Sequence, residues 1–444
     1  MRICFRSLPV WVFFLLSAAF TRVSAQENEM GNRKLQISLN DSGTHFVRFT
    51  AYFQVWGRYT QENPGTLVDG QPVDHTFDIS LRRFRVSASG MLTKKLFFFV
   101  QAGDNNLNYL TARTTSFRLL DAYAEYRYRP WLEVGGGKNL WTGLSRFAAP
   151  STSKNLGYDF PMVAIPTVNI TNDLLRTLNV YAKGNIGDLH YRAIISTPPA
   201  ASSGSGFSRT ILENEATFRP GSYGVQSSGY VKWMFFDREP ADLPFHSGTY
   251  LGAKTMLNIG AGFLHQPRAL WWTEGADTVV RGMDLFAADV FAEIPTRNKR
   301  HVFTSYLAFY QYDLGKNYLR NLAVNNPANG LDGALGTLNG SGDGYPVAGT
   351  GQSVFVQGGW LLPPFKDKAL GRLQPNADFQ IGWWDKLDEP MQAYDLGVAW
   401  LLHGHLARFA LNFQNRPIFI EENGQSRLFD RRWIGVLAFQ WRLE

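Results

Sequence analysis

The sequence predicts an all-β fold, a transmembrane antiparallel β-barrel of about sixteen strands. Three observations predict it. Period-two alternation of apolar and polar residues recurs along a chain in which helical periodicity is nearly absent. The alternating segments number sixteen, and bacterial barrels close with an even number. The connections between them are mostly short after even segments and mostly long after odd ones, the pattern of periplasmic turns and extracellular loops.

The first segment, 45–59, sets Phe49, Ala51, Phe53 and Val55 on one face and Arg48, Thr50, Tyr52, Gln54, Trp56 and Arg58 on the other. The second, 76–91, opposes Phe84, Val86 and Ala88 to Arg83, Arg85, Ser87 and Ser89. Met91-Leu92-Thr93 turns it into 94–104. In 116–128 a polar face carries Asp121, Tyr123, Glu125 and Arg127, and Pro130 separates that segment from 131–138. Asn185-Ile186-Gly187-Asp188 joins 176–185 to 188–197. Then follow 225–237, 249–264, 282–293, 300–313, 352–362, 373–386 and 391–403. His403-Gly404-His405 leads into 405–415, and 430–443 closes the chain with Trp433, Gly435, Leu437, Phe439, Trp441 and Leu443 on one face. Strands in soluble sandwiches average five or six residues, whereas a tilted membrane strand needs about 9–11. An open edge would leave backbone donors unpaired in lipid, so the sheet must close.

The long connections are 60–75, 105–115, 139–175, 198–224, 265–281, 314–351 and 416–429, with 387–390 the short exception. This alternation puts both termini in the periplasm. Trp271-Trp272, Trp383-Trp384, Trp400, Trp433 and Trp441 fall near strand ends or on outward faces, where aromatic girdles form.

Residues 1–25 read as a secretory signal peptide: Arg2 and Arg6 precede the apolar run Leu8–Phe20, and Val23-Ser24-Ala25 offers a cleavage site before Gln26. Residues 26–44 are then a periplasmic N-terminal segment, and 45–444 the barrel. Cleavage removes Cys4, the lone cysteine, and leaves 41 basic against 37 acidic residues. So small and dispersed a surplus argues against a nucleic-acid partner. Charged residues at 18% and aromatics at 14% suit a sheet whose apolar face meets lipid.

At 81–90 the chain reads Leu-Arg-Arg-Phe-Arg-Val-Ser-Ala-Ser-Gly. Asp121-Ala122-Tyr123 follows, then Gly135 with Lys138. In order and spacing these resemble the phosphate-selective porin O and P family of bacterial outer-membrane porins, over roughly residues 76–145. The resemblance implies a sixteen-stranded channel that assembles as a homotrimer. It also implies that the third extracellular loop, 139–175, folds inward and narrows the pore.

Such a barrel leaves an aqueous lumen whose lining charges set selectivity. The expected pore-lining residues are Arg48, Arg58, Arg82, Arg83, Arg85, Asp121, Glu125, Arg127 and Lys138. The constriction-loop residues are Arg146, Lys154, Asp159 and Asp173. Arg82 and Arg83 are consecutive, so a regular strand cannot turn both inward; either a β-bulge there permits it or one of the two lies near an interface. Two readings of the arginines stand side by side. Forked, permanently charged guanidiniums draw small anions, phosphate among them; or they pair with Asp121, Glu125 and Glu133 and merely fill the wall. The expected function is passive diffusion of small hydrophilic solutes across the outer membrane, with membrane lipid and those solutes as partners. The alternative is a barrel serving as a structural or surface-interaction protein through its long loops. No catalytic, cofactor or metal pattern emerges: the histidines are scattered apart from His403 and His405, and the Gly-rich run 330–351 lacks the Lys and helix of a phosphate-cradling loop.

Overall fold

A computed structural model describes residues 35–111, 117–199, 210–221, 224–335 and 337–444. The expected signal peptide 1–25, with residues 26–34 of the expected periplasmic segment, lies outside the described residues.

Sixteen strands form one antiparallel sheet closed on itself. They are β1 Phe46–Gln61, β2 His75–Met91, β3 Leu96–Leu107, β4 Arg118–Arg129, β5 Leu132–Asn139, β6 Thr177–Ile186, β7 Leu189–Thr197 and β8 Gln226–Met234. The second half comprises β9 Met256–Glu274, β10 Asp277–Pro295, β11 Val302–Asp313, β12 Gly351–Leu361, β13 Arg372–Trp384, β14 Met391–His403, β15 Ala407–Glu422 and β16 Gln425–Leu443. Each strand pairs with the next, and β1 also pairs with β16, which closes the barrel. Beyond the end of β16, the short strand Gln36–Ser38 takes its place beside β1, so the seam stays hydrogen-bonded to its rim.

Alternation separates the two faces. Along β11, Phe303, Leu307 and Phe309 are exposed while Thr304, Tyr306, Ala308 and Tyr310 are buried inside. The same outer face carries Phe77 and Ile79 on β2, Leu178 and Val180 on β6, and Leu396 on β14. A closed sheet with an apolar outer band spans a membrane, because every backbone group is paired within it. Neighbouring residues on a strand face opposite ways. Hence only one member of each Trp pair joins the outer surface: Trp383 is exposed, whereas Trp272 and Trp384 are buried in the lumen.

Sixteen segments were expected and sixteen strands form, but two predicted long loops are strand. Residues 265–281 continue β9 and β10 to a tight turn at Gly275. Pro267 and Arg268 occupy a bulge between Gln266 and Leu270, so the proline interrupts the ladder without ending it. Likewise 416–429 continues β15 and β16 to Asn423-Gly424, both at positive φ, the geometry of a two-residue hairpin turn. The reverse happens at 235–255. Read as strand ends around the connection 238–248, it instead bends back into the lumen, with Pro240 and Pro244 unable to supply ladder donors.

Candidate functional site

The loop between β5 and β6, residues 140–176, crosses the lumen. Its backbone reaches the inner wall where that wall is bare. A Cβ on Gly143 would lie 2.3 Å from the nitrogen of Gly229 on β8, and one on Gly262 of β9 would lie 2.6 Å from the carbonyl of Leu144. Ser228 accepts a hydrogen bond from the Gly143 amide at 3.0 Å, so the seat also satisfies the loop's backbone. Beyond it, Leu144, Phe147, Val163 and Ile170 pack on Leu285, Phe291, Tyr306 and Tyr312 of the wall. Much of the expected aqueous lumen is therefore apolar packing between loop and barrel. Gly262→Ala should unseat the loop at a cost of about 1–3 kcal/mol, read as a lower urea midpoint in lipid vesicles.

The arginines of β2 meet this loop. Gln54 pairs with Arg83 and Val55 with Leu81, leaving Arg82 as the extra residue of a β-bulge. Both arginines therefore turn inward, and both end on one carboxylate. Asp159 accepts from Arg82 at 2.9 and 3.1 Å and from Arg83 at 2.6 Å. Arg58 donates to Asp78 at 2.8 Å and to Asp343 at 3.3 Å. Arg176, at the loop's exit, donates to Asp121 at 3.0 Å. Glu125 faces inward and takes Lys183 at 3.0 Å and Arg127 at 2.8 Å. Arg85 differs: it reaches Asn105 at 3.1 Å and Thr152 at 3.5 Å, and no carboxylate pairs with it among the described residues.

Four expected residues lie off this cluster. Arg48 stands at the rim, donating to Gln36 at 3.0 Å. Lys138 is not a lumen residue: it pairs in the ladder with Ala122 and with Leu178, an exposed outer residue, because inward parity on β5 belongs to Glu133 and Asn139. Its ammonium reaches past the strand to Asp173 at 2.6 Å, and Asp173 itself sits on the rim, half open to solvent. Lys154 lies low in the loop, where burial and then the Arg442 guanidinium draw its pKa down.

A second polar cluster was not expected. Arg146 of the loop forms a fork onto Glu239 of the inward segment 235–255, at 2.6 and 2.9 Å, with both side chains about 1% exposed. Glu239 also accepts from Lys232, from Asn258 at 2.9 Å and from the Tyr250 hydroxyl at 2.6 Å. Arg192 contacts Nε2 of His246 at 2.8 Å. A guanidinium can only donate, so Nε2 must accept and the ring is neutral. Strand parity alone could have found Arg192 and Lys232, since Ile195, Val231 and Trp233 face outward around them. Nothing in Arg238-Glu239-Pro240 signals that Glu239 folds inward.

This cluster sets a pH dependence. Burial, then the charges of Arg192 and Lys232, hold the pKa of His246 well below its ordinary 6.5, while Glu239 pulls the other way. Burial with Arg408 lowers His405 to about 3. A histidine with a depressed folded pKa contributes its full share of stability above about pH 6.5. The unfolded chain binds the proton first, so stability falls as the pH drops below that. From pH 7 to pH 5 each should cost about 1–2 kcal/mol. Urea titrations at the two pH values check this, and His246→Gln should flatten the slope.

Across the lumen, Asp378 of β13 and Asp395 of β14 pair directly in the ladder and point inward. They line a cavity with Asp343 and Tyr345. A second cavity holds the arginines, and the two share Phe160, Met162, Leu322 and Val324 as a dividing wall. Loop 140–176, through Phe160 and Met162, and segment 314–350, through Leu322 and Val324, thus together separate a basic flank of the lumen from an acidic one.

No protein-family model and no curated relative matches this sequence. Solved structures do match. OprB of Pseudomonas putida at high pH superposes with a TM-score of 0.54 at 11% identity, over 89% of this chain and 94% of that one. OmpF of Salmonella typhi, solved in complex with daunomycin, gives 0.51 at 7% identity, over 90% and 98% of the two chains. At such identities the likeness is one of fold. The closed sixteen-stranded barrel, with its apolar outer band, is that of a bacterial outer-membrane protein with a porin-like architecture.

Proposed function

We propose that this chain is an outer-membrane channel through which small hydrophilic solutes diffuse passively, with a preference for anions. The observation that carries the preference is Arg85, 6% exposed on the lumen face of β2 and without a carboxylate partner among the described residues. Most of the other arginines fit the wall-filling reading, since Asp78, Asp121, Asp159 and Glu239 neutralise them. Arg85 keeps its charge uncompensated beside Arg83 and Arg176. Phosphate as one such anion, and the homotrimer, rest on the resemblance across residues 76–145; the mass of the purified protein in detergent tests the trimer.

Planar-bilayer recording tests the channel. Discrete conductance with a reversal potential favouring anions is the expected result. Arg83→Ala and Arg85→Ala should each lower the anion-to-cation permeability ratio roughly two- to fivefold, as loss of about 1 kcal/mol of Coulomb attraction would. A cation-favouring reversal potential would reject the preference, and absence of discrete steps would reject the channel. The apolar packing of loop 140–176 on β10 and β11 favours a second reading, a filled barrel acting through its surface loops. That reading gains if the bilayer stays silent.

A further inference from the structure

The cavity on the basic flank has a mixed lining. It includes five guanidiniums, those of Arg82, Arg83, Arg85, Arg176 and Arg320. Asp159 serves Arg82 and Arg83 together, and Asp121 serves Arg176. Among the described residues, Arg320 donates only to the carbonyls of Pro166, at 2.6 Å, and Val168. Its Nε and that of Arg85 are buried without a hydrogen-bond partner. Five positive charges thus face two carboxylates. An uncompensated buried charge is costly, so a bound anion would be strongly favoured here.

Much of the remaining lining is aliphatic: Leu140, Ile165, Val168, Leu174, Leu175 and Leu322. Leu174 and Leu175 both hold positive φ, 48° and 75°, which is costly for a branched side chain. Asn169 and Asn172 fix that turn by accepting from their amides at 2.9 and 2.8 Å. Two consecutive strained leucines are thereby committed to a charged cavity.

We propose that this cavity binds amphipathic organic carboxylates, with the headgroup at Arg85 and an apolar body against the aliphatic lining. The proposal rests on the anion reading above and names the solute class. An inorganic anion would use the guanidiniums and leave the aliphatic lining unserved.

Isothermal titration of the full chain in lipid nanodiscs, with empty discs subtracted, tests it. Hexanoate should bind at least about tenfold more tightly than acetate, because its extra methylenes leave water. It should also outbind inorganic phosphate and 1-hexanol. Arg85→Gln should weaken hexanoate about tenfold or more, from loss of a charged hydrogen-bond donor. Acetate or phosphate matching hexanoate would overturn the proposal, and so would an Arg85→Gln protein that binds hexanoate unchanged. The wild-type acid series decides even if the variant fails to fold. Conductance of the same preparation separates the two claims. Chloride current without hexanoate binding sinks the cavity proposal alone, and hexanoate binding without any current sinks the channel alone.

Discussion

Glu239→Ala is expected to cost about 3–5 kcal/mol of stability, because it strands buried cations without a counter-charge. Arg146, Lys232, Asn258 and Tyr250 all donate to this one carboxylate. Burial alone would raise its pKa, but Arg146 and Lys232 outweigh that and hold it well below the usual carboxylate range. The folded value is depressed, so its contribution persists above the unfolded pKa near 4.5 and fades only as the pH falls through the folded value. At neutral pH the carboxylate is therefore fully charged, and alanine removes the whole of it. The guanidinium of Arg146 also stacks on Phe291, 3.7 Å from the ring centroid, and donates to the Ser247 carbonyl at 2.7 Å. These contacts hold position but supply no negative charge. Urea unfolding in vesicles reads the cost. Glu239→Gln, which keeps one acceptor oxygen but sets an NH2 donor where the other stood, should fall between wild type and alanine. Because Glu239 ties the inward segment 235–255 to the loop 140–176, the alanine variant should also show larger or noisier single-channel currents.

The barrel was legible and the filling of its lumen was not. Period two reports only which face of a strand meets lipid, and that requirement holds at every membrane-level residue from β1 to β16. Outside the lipid layer it lapses. The upper parts of β9 and β15 lose their alternation, with 269–272 and 418–420 running as consecutive apolar residues, and read as loops although their ladders continue. One local mark was available and unused: Asn423-Gly424, a strong hairpin signal in any sheet. The bulge at Arg82 was readable because two consecutive arginines cannot both face inward without one. By contrast, the pairing of Arg146 with Glu239 joins residues 93 apart through two irregular segments, and irregular backbone has no period to read. Lys138 misled for a related reason. It was placed by motif, whereas its ladder partners Ala122 and Leu178 decide its face.

Asp159→Ala should move selectivity opposite to Arg83→Ala. Asp159 is the shared acceptor for the two arginines of the bulge, and burial opposes its ionisation. Arg82 and Arg83 outweigh that burial and hold its pKa below the ordinary 3.8. Removing it leaves adjacent guanidiniums repelling each other, at a cost of about 3 kcal/mol where no solvent reaches them. These two line a cavity, so mobile anions can enter and offset part of the loss. The expected result is a destabilised barrel that is more anion-selective than wild type, its permeability ratio raised roughly two- to fivefold by the freed charge. Acidification provides the same change without a mutation. A depressed carboxylate keeps its charge above the unfolded pKa and loses it only as the pH falls through the folded value, below about 3.8. The Asp159 contribution should therefore stay constant from pH 7 to pH 5, and the difference in selectivity between wild type and Asp159→Ala should close only in stronger acid. An Asp159→Ala protein with wild-type selectivity at pH 7 would mean that the bulge arginines lie off the permeation path. Arg85 and Arg320, with no carboxylate partner among the described residues, would then carry the preference.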